Sequence, residues 1–208
     1  MANLTIWGRI TSINVRKVVW VARELGLEFQ HVKAGREFGV VNTPEYLRMN
    51  PNAKVPVIDD GGFVLWESNV IVRYLCAKHS NGALCPSPLR ERFEAERWMD
   101  WQQTTLNPAG RDAFWQLIRT PAAARDESVL AKSVAATEPL LSMLDSLLAT
   151  RRFIAGEGFT MADIPIACEV HRFWSLPRDH APHPQLERWY DQVSTRPATR
   201  GVLDVPLA

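Results

Sequence analysis

The tripeptide Glu67-Ser68-Asn69 stands at the expected start of a helix, where unpaired backbone amides and the positive end of the helix dipole favour an anion. A ligand carboxylate suits such a terminus. A glutamate beside it adds a different capacity, because it accepts from an ammonium group while the serine and the amides take the carboxylate. Together they match the head of an α-amino acid; the plainer alternative is that Glu67 and Ser68 only cap the helix. A second candidate is Val55-Pro56, at the mouth of a strand and preceded by the turn-forming Asn50-Pro51-Asn52. A cis bond there would expose the Val55 amide and carbonyl to an extended peptide, whereas a trans proline on an edge strand would not. Ser12, ahead of a helical pattern, reads by itself as a helix N-cap.

Other groupings carry less chemistry. In Gly156-Glu157-Gly158-Phe159-Thr160-Met161-Ala162-Asp163, Thr160 can accept from first-turn amides while Asp163 reaches back to the Thr160 amide, a capping box with Asp in place of Glu or Gln. Asp163 as a buried catalytic acid ranks behind capping, because no paired carboxylate or base lies nearby in sequence. Cys76 and Cys85 are too far apart for a Cys-x-x-Cys pair, and Cys76 on an apolar helix reads as core packing. His180 and His183, with Asp179 and His171 upstream, have weak zinc spacing; histidines in a proline-rich loop are expected to face solvent, and no metal is expected. Trp98 and Trp101 share a helical face, and most of the eight tryptophans are expected in the core.

The elements that must position these residues follow from composition and periodicity. With 208 residues, a net charge of +1 and 46% apolar residues, the chain is not a disordered tail, a collagen-like repeat or a disulfide-stapled peptide. The near-neutral charge ranks small molecules above nucleic acid or an anionic membrane as partners. Apolar runs such as Val18-Val19-Trp20-Val21-Ala22 are too short to span a bilayer, and the first nine residues lack the pattern of a secretion signal. Cys76, Cys85 and Cys168, without a close pair, suit a reducing cytoplasm.

Leu4 to Trp7 and Phe29 to Lys33 read as strands around a helix with Val15, Val18, Val19, Ala22 and Leu25 on one face and Gly26 as its stop. A short helix opens at Thr43-Pro44 and ends at Asn50-Pro51. Val55 to Ile58 and Phe63 to Trp66 flank Asp59-Asp60-Gly61-Gly62 and pair antiparallel, and a helix through Val70, Ile71, Tyr74 and Leu75 completes a βαβαββα order. From residue 88 onward the pattern is helical: a long helix broken at Asn107-Pro108, a shorter one with Phe114, Trp115 and Ile118, a third kinked or divided at Pro139, and a last one from Pro184 to Val193. The expected fold class is α/β plus all-α, with domains at 1–81 and 88–208 joined by a linker at 82–87.

Taken in order, Ser12-Ile13-Asn14-Val15-Arg16-Lys17-Val18, Asn50-Pro51-Asn52-Ala53-Lys54-Val55-Pro56, Glu67-Ser68 and the Gly-x-x-Thr-x-x-Asp box at 157–163 resemble the cytosolic glutathione S-transferases across nearly the whole chain. Trp98-Met99-Asp100-Trp101-Gln102 resembles a bacterial, theta-like branch. The resemblance implies a thioredoxin-like N-terminal domain that binds glutathione, an all-helical C-terminal domain contributing a hydrophobic electrophile pocket, and a homodimer. It gives Glu67 and Ser68 the γ-glutamyl end of glutathione, and gives Val55, before a cis Pro56, backbone pairing with the cysteinyl unit. Ser12, four residues before Arg16, has the spacing of the activating serine of the theta and delta classes, donating its hydroxyl proton to the sulfur. Asn14 offers an amide donor in the same loop. Some bacterial relatives use Thr or Asn instead, which makes Thr11 and Asn14 competing candidates. Ala53 stands where many theta and delta members carry a basic residue for the glycine carboxylate, a role that passes to Lys54 or elsewhere. The tyrosine of the alpha, mu and pi classes is missing, since the first strand ends in Trp7. Phe38, Phe114 and Trp115 are candidates for the electrophile pocket.

The expected function is thiolate addition to, or displacement on, a hydrophobic electrophile, with glutathione as co-substrate. Alternatives are a non-catalytic interaction module of the same fold, which often loses the activating residue and the Glu-Ser pair retained here, and a glutathione-dependent peroxidase, reductase or dehalogenase.

Overall fold

The computed structural model describes residues 3–208. Its elements fall into two compact units, one of residues Met1–Cys85 with Pro197–Pro206, the other of Pro86–Arg196 with the last two residues. The first has the order β1 (Leu4–Trp7), α1 (Ile13–Glu24), β2 (Phe29–Val32), α2 (Pro44–Met49), β3 (Val57–Asp60), β4 (Phe63–Trp66) and α3 (Ser68–His79). The strands form one mixed sheet in the order β2-β1-β3-β4, with β1 parallel to β2 and antiparallel to β3. This is the βαβαββα arrangement of a thioredoxin-like domain.

β3 begins two residues later than the sequence pattern suggests, because Pro56 has no N–H to give the ladder. Its pairing with β4 runs to Asp60 opposite Phe63, so both aspartates belong to the strand and Gly61-Gly62 alone make the turn. Both glycines have positive φ, 64° and 95°, as a tight hairpin requires. Asp59 Oδ1 accepts from the Gly62 N–H at 2.6 Å and closes it.

Helix α1 is buried more completely than its apolar face demands: every residue from Val15 to Ala22 is enclosed, Arg16 and Lys17 included. Each fully buried aliphatic side chain contributes roughly 1.5–3 kcal/mol, so this stripe anchors the unit. Arg16 keeps its charge hydrated by protein carbonyls. Its Nε donates to Ile10 O at 3.2 Å, and its Nη2 to Val205 O at 2.6 Å and Pro206 O at 2.9 Å. Arg23 donates to Arg200 O. These donors hold residues 197–206 to the first unit, a return of the chain that the expected 88–208 boundary did not include.

The second unit is helical: α4 (Leu89–Trp101), α5 (Asn107–Phe114), α6 (Glu127–Leu148), α7 (Asp163–Trp174) and α8 (Pro184–Ser194). Asn107-Pro108 does not break the first of these. A π-helical turn, Gln102–Leu106, carries α4 into α5, and the wider turn makes room for a proline ring that a regular α-turn would clash with. Nor does Pro139 divide α6, which runs as one helix of 22 residues. Only Trp20 and Trp189 of the eight tryptophans are fully buried, since the others lie on helix or strand faces with one edge open. No helix is long and apolar enough to cross a membrane among the described residues.

The box at 160–163 forms and is tied further than spacing implies. Asp163 Oδ2 accepts from the Thr160 N–H at 2.8 Å, and Thr160 Oγ1 accepts from the Ala162 N–H at 3.3 Å. Asp163 Oδ1 also accepts from Ile154 N–H at 3.0 Å and Trp189 Nε1–H at 2.9 Å. Burial nevertheless pushes this carboxyl up to about 6, against the pull of those donors.

Thr160→Ala should lower stability by about 1 kcal/mol or more, read from the urea midpoint, because the amide of Ala162, the N-cap residue of α7, loses its acceptor in a buried place. The pH dependence has a definite sign. The folded state holds the Asp163 proton to about pH 6 and the unfolded chain only to about 4, so folding takes up a proton in that window and stability falls as pH rises through it. Denaturation of the parent and of Asp163→Asn at pH 4 to 7 should differ by a pH-dependent part on the order of 3 kcal/mol. Parallel curves would refute the shift.

Candidate functional site

Ser12 is the N-cap residue of α1, with φ −79° and ψ 124°, and its hydroxyl makes no capping hydrogen bond. The turn before the helix closes through the Ser12 N–H and Arg9 O, 3.1 Å apart. The side-chain capping that serine usually supplies is thus not used, and the hydroxyl remains available to a ligand. Thr11 differs: its Oγ1 is enclosed and has no hydrogen-bond partner. Asn14, in the first turn of α1, accepts through Oδ1 from the Ser68 hydroxyl at 3.2 Å. One hydrogen bond therefore joins the first turn of α1 to the first turn of α3, 54 residues apart, and turns the Asn14 amide nitrogen toward other acceptors.

Glu67 is the N-cap residue of α3, at φ 73° and ψ 107°, with no side-chain capping bond. Its carbonyl takes the Ile71 N–H at 2.9 Å, while its carboxylate is exposed. Positive φ at a residue with a Cβ costs about 1–3 kcal/mol and persists where the surroundings impose it, a pattern concentrated at ligand sites. The capping alternative for Glu67 does not describe this side chain. Ser68 and Asn69 are buried beside it, 4% and 7% exposed.

Val55 lies in the loop before β3, and its bond to Pro56 is cis. The preceding carbonyl is pinned twice: Lys54 O accepts from Tyr46 Oη–H at 2.9 Å and from Asn50 Nδ2–H at 2.8 Å. Asn50 Oδ1 takes the Asn52 backbone N–H at 3.0 Å, and the Ala53 N–H donates to Asn50 O at 3.1 Å. Tyr46 and Asn50, both buried, thus frame a segment whose next residue, Val55, has neither its N–H nor its C=O engaged among the described residues. The sequence signal for this frame was slight, a tyrosine in the helix that ends at Asn50. Ala53, at φ 53°, supplies no charge, and the Lys54 side chain is exposed. Gly8 stands where a Cβ would collide with the Val15 side chain and come within 3.2 Å of Val55 Cβ, so glycine lets the end of β1, α1 and the Val55 loop meet.

Arg9 went unnoticed in the sequence. It is 9% exposed, and its Nε is enclosed without a partner. Burial, then the nearby Arg36, draws its guanidinium pKa down, partly offset by Glu37.

The remaining candidates stay apart. His171 Nδ1 pairs with Tyr190 Oη at 2.7 Å, and His180 stacks on Trp174. His183 is buried rather than solvent-facing, because it precedes α8 and packs against α6, with Nε2 3.3 Å from Ser142 Oγ. No group of three His, Cys, Asp or Glu that could hold a metal occurs among the described residues. The three cysteines are buried and form no disulfide, and burial pushes the Cys76 thiol up. Phe38 and Trp115 are exposed, while Phe114 is buried under the Arg119 guanidinium.

Comparison with known proteins meets this geometry. Residues 2–77 match the glutathione S-transferase N-terminal domain and residues 122–192 the glutathione S-transferase C-terminal domain. Glutathione S-transferase GstB of Escherichia coli K12 is 39% identical over 207 residues, 99% of this chain and 100% of that one. The theta-class glutathione S-transferase of Xanthomonas axonopodis pv. citri, crystallised with glutathione bound, superposes with a TM-score of 0.96 at 39% identity over the whole of both chains. Its apo form gives 0.87 at 36% identity, again over both chains in full. Matched domains over most of its length and these full-length relatives establish that the chain belongs to the glutathione S-transferase family.

Proposed function

We propose that the protein is a glutathione transferase that activates the glutathione thiol as a thiolate for attack on a hydrophobic electrophile, acting in detoxification in the cytoplasm as a homodimer. The observation that carries the reading is the Ser68–Asn14 hydrogen bond, which couples an amino-acid-binding helix terminus to the loop that bears the Ser12 hydroxyl. Glu67 accepts the γ-glutamyl ammonium group, and Ser68 with the first amides of α3 takes its carboxylate. Val55 pairs its unused N–H and C=O with the cysteinyl unit, in the manner of a strand added to an edge. Pro56 fixes the chain after it, and the exposed Lys54 side chain serves the glycine carboxylate in place of a basic residue at Ala53. Ser12 donates to the sulfur and the Asn14 amide is the second donor, whereas the enclosed Thr11 hydroxyl is less suited. Exposed apolar side chains such as Phe63, Val70, Leu89 and Phe93 suit burial against a second copy.

A free cysteine thiol has a pKa of about 8.5, so most of it is protonated at neutral pH, and only the thiolate attacks. A hydrogen bond to the charged form selects it; each unit of lowering requires about 1.4 kcal/mol, the strength of one good bond to an ion. One or two donors suffice.

Glu67→Gln and Ser68→Ala should each weaken glutathione binding by about 1–3 kcal/mol in calorimetry, because each leaves a charged ligand group without its partner. Parent-like affinity in both would remove the assigned site. Thiolate absorbance of bound glutathione against pH should show a raised pKa in Ser12→Ala, with turnover of an aromatic halide down about tenfold or more. If Asn14→Ala or Thr11→Ala is impaired instead, the donor is reassigned and the transferase reading stands. If none of the three shifts the pKa, a non-catalytic module of this fold is the better description.

A further inference from the structure

The first unit holds a largely buried cation, Arg9, whose Nε has no hydrogen-bond partner among the described residues. Arg9 is 91% buried by its 9% exposure, and it enters no hydrogen bond or ion pair among the described residues. Its nearest charged neighbours oppose one another: Arg36 disfavours the charged guanidinium more than Glu37 supports it. A buried, unpaired charge is a standing cost to the fold, and proteins ordinarily pair it, as Arg16 is paired with three backbone carbonyls in the same unit. A guanidinium left in this condition suits an anion that arrives from outside.

Its position narrows which anion that is. Arg9 belongs to the turn that presents Ser12, since its carbonyl accepts the Ser12 N–H at 3.1 Å. Its side chain runs to Gly35 and Val55: a Cβ built on Gly35 would lie 3.6 Å from Arg9 Nη1 and 3.5 Å from Val55 Cγ1. The Arg9 backbone thus belongs to the Ser12 turn, and its guanidinium reaches the Gly35 and Val55 side of that turn. The γ-glutamyl carboxylate belongs to the α3 terminus and the glycine carboxylate to the Lys54 side. What forms beside Ser12 and Val55 is the thiolate.

We propose that Arg9 is the fixed positive charge that stabilises the glutathione thiolate, acting beside the Ser12 hydrogen bond. This rests on the glutathione-site reading above. When glutathione binds, its S–H bond breaks heterolytically, the electron pair stays on sulfur and the proton leaves to bulk water. Arg9 remains protonated throughout, so the sulfur's charge replaces an unpaired cation with an ion pair. At a separation of a few ångströms in a partly enclosed site, Coulomb attraction is large enough to move the thiol by a unit or more.

The test uses Arg9→Met, which keeps length without charge, and Arg9→Lys, which keeps charge. The thiol pKa of bound glutathione, read from thiolate absorbance, should rise by about one unit or more in Arg9→Met, a tenfold loss of thiolate below that pKa, and stay near the parent value in Arg9→Lys. S-methylglutathione, which retains both carboxylates but has no ionisable sulfur, should bind parent and Arg9→Met alike. The melting temperature of Arg9→Met should match or exceed the parent's, because a buried unpaired charge is removed. An unchanged thiol pKa in Arg9→Met, or an equal loss of S-methylglutathione affinity that marks Arg9 as a carboxylate anchor, overturns the proposal. Failure of the parent to bind glutathione would instead remove the site reading on which it rests.

Discussion

Burial of α1 is the constraint on which the first unit depends. Its enclosed run from Val15 to Ala22 leaves the helix no freedom to slide or rotate, so its N-terminal turn is delivered to one place, beside the end of β1. Ser12, Asn14 and the start of α3 inherit their positions from that packing, and the Ser68–Asn14 bond records it. The same helix holds the C-terminal segment through Arg16 and Arg23, whose long side chains carry donors out of the core to backbone carbonyls. A loop group is only as well placed as the element behind it, and here that element is the most buried helix of its unit.

Two buried carboxylates of the helical unit are well partnered. In the helical unit, Asp163 accepts four hydrogen bonds, and the Glu169 carboxylate is met by Arg172 and by Gln102 Nε2 at 2.9 Å. Such satisfied networks define a single packing. In the first unit, among the described residues, the polar groups near Ser12 are left incomplete: a helix N-cap hydroxyl that does not cap, a glutamate at positive φ, a residue whose backbone N–H and C=O are idle, and a guanidinium Nε without a hydrogen-bond partner. On the proposed reading, these are groups that a zwitterionic peptide with a thiol can partner on binding.

What was legible in the residues follows their range of action. The βαβαββα order showed because strand and helix periods are local, and the 160–163 box showed because both its partners lie within four residues. Glu67-Ser68 and Val55-Pro56 stood out for the same reason, as termini and turns with recognisable chemistry. Misreadings arose where tertiary packing overrode a local rule. Pro108 sits inside a continuing helical stretch because a π-turn accommodates it, and Pro139 does not divide α6, although a kink there is the other expectation. His183 is buried because α6 covers a loop that composition alone would leave in water.

By itself the sequence determined the elements, their order and the chemical character of each terminus, because these depend on backbone preferences and on neighbours within a turn or two. Only the tertiary structure decided which of those groups would find partners. Ser68 meets Asn14 across 54 residues, Lys54 O is held by Tyr46, and Asp163 gains Trp189, whereas Arg9 Nε gains no hydrogen-bond partner among the described residues. Hydrogen bonds and ion pairs act over a few ångströms, so whether a buried polar group is satisfied is set by contacts between distant segments, and no spacing along the chain records it.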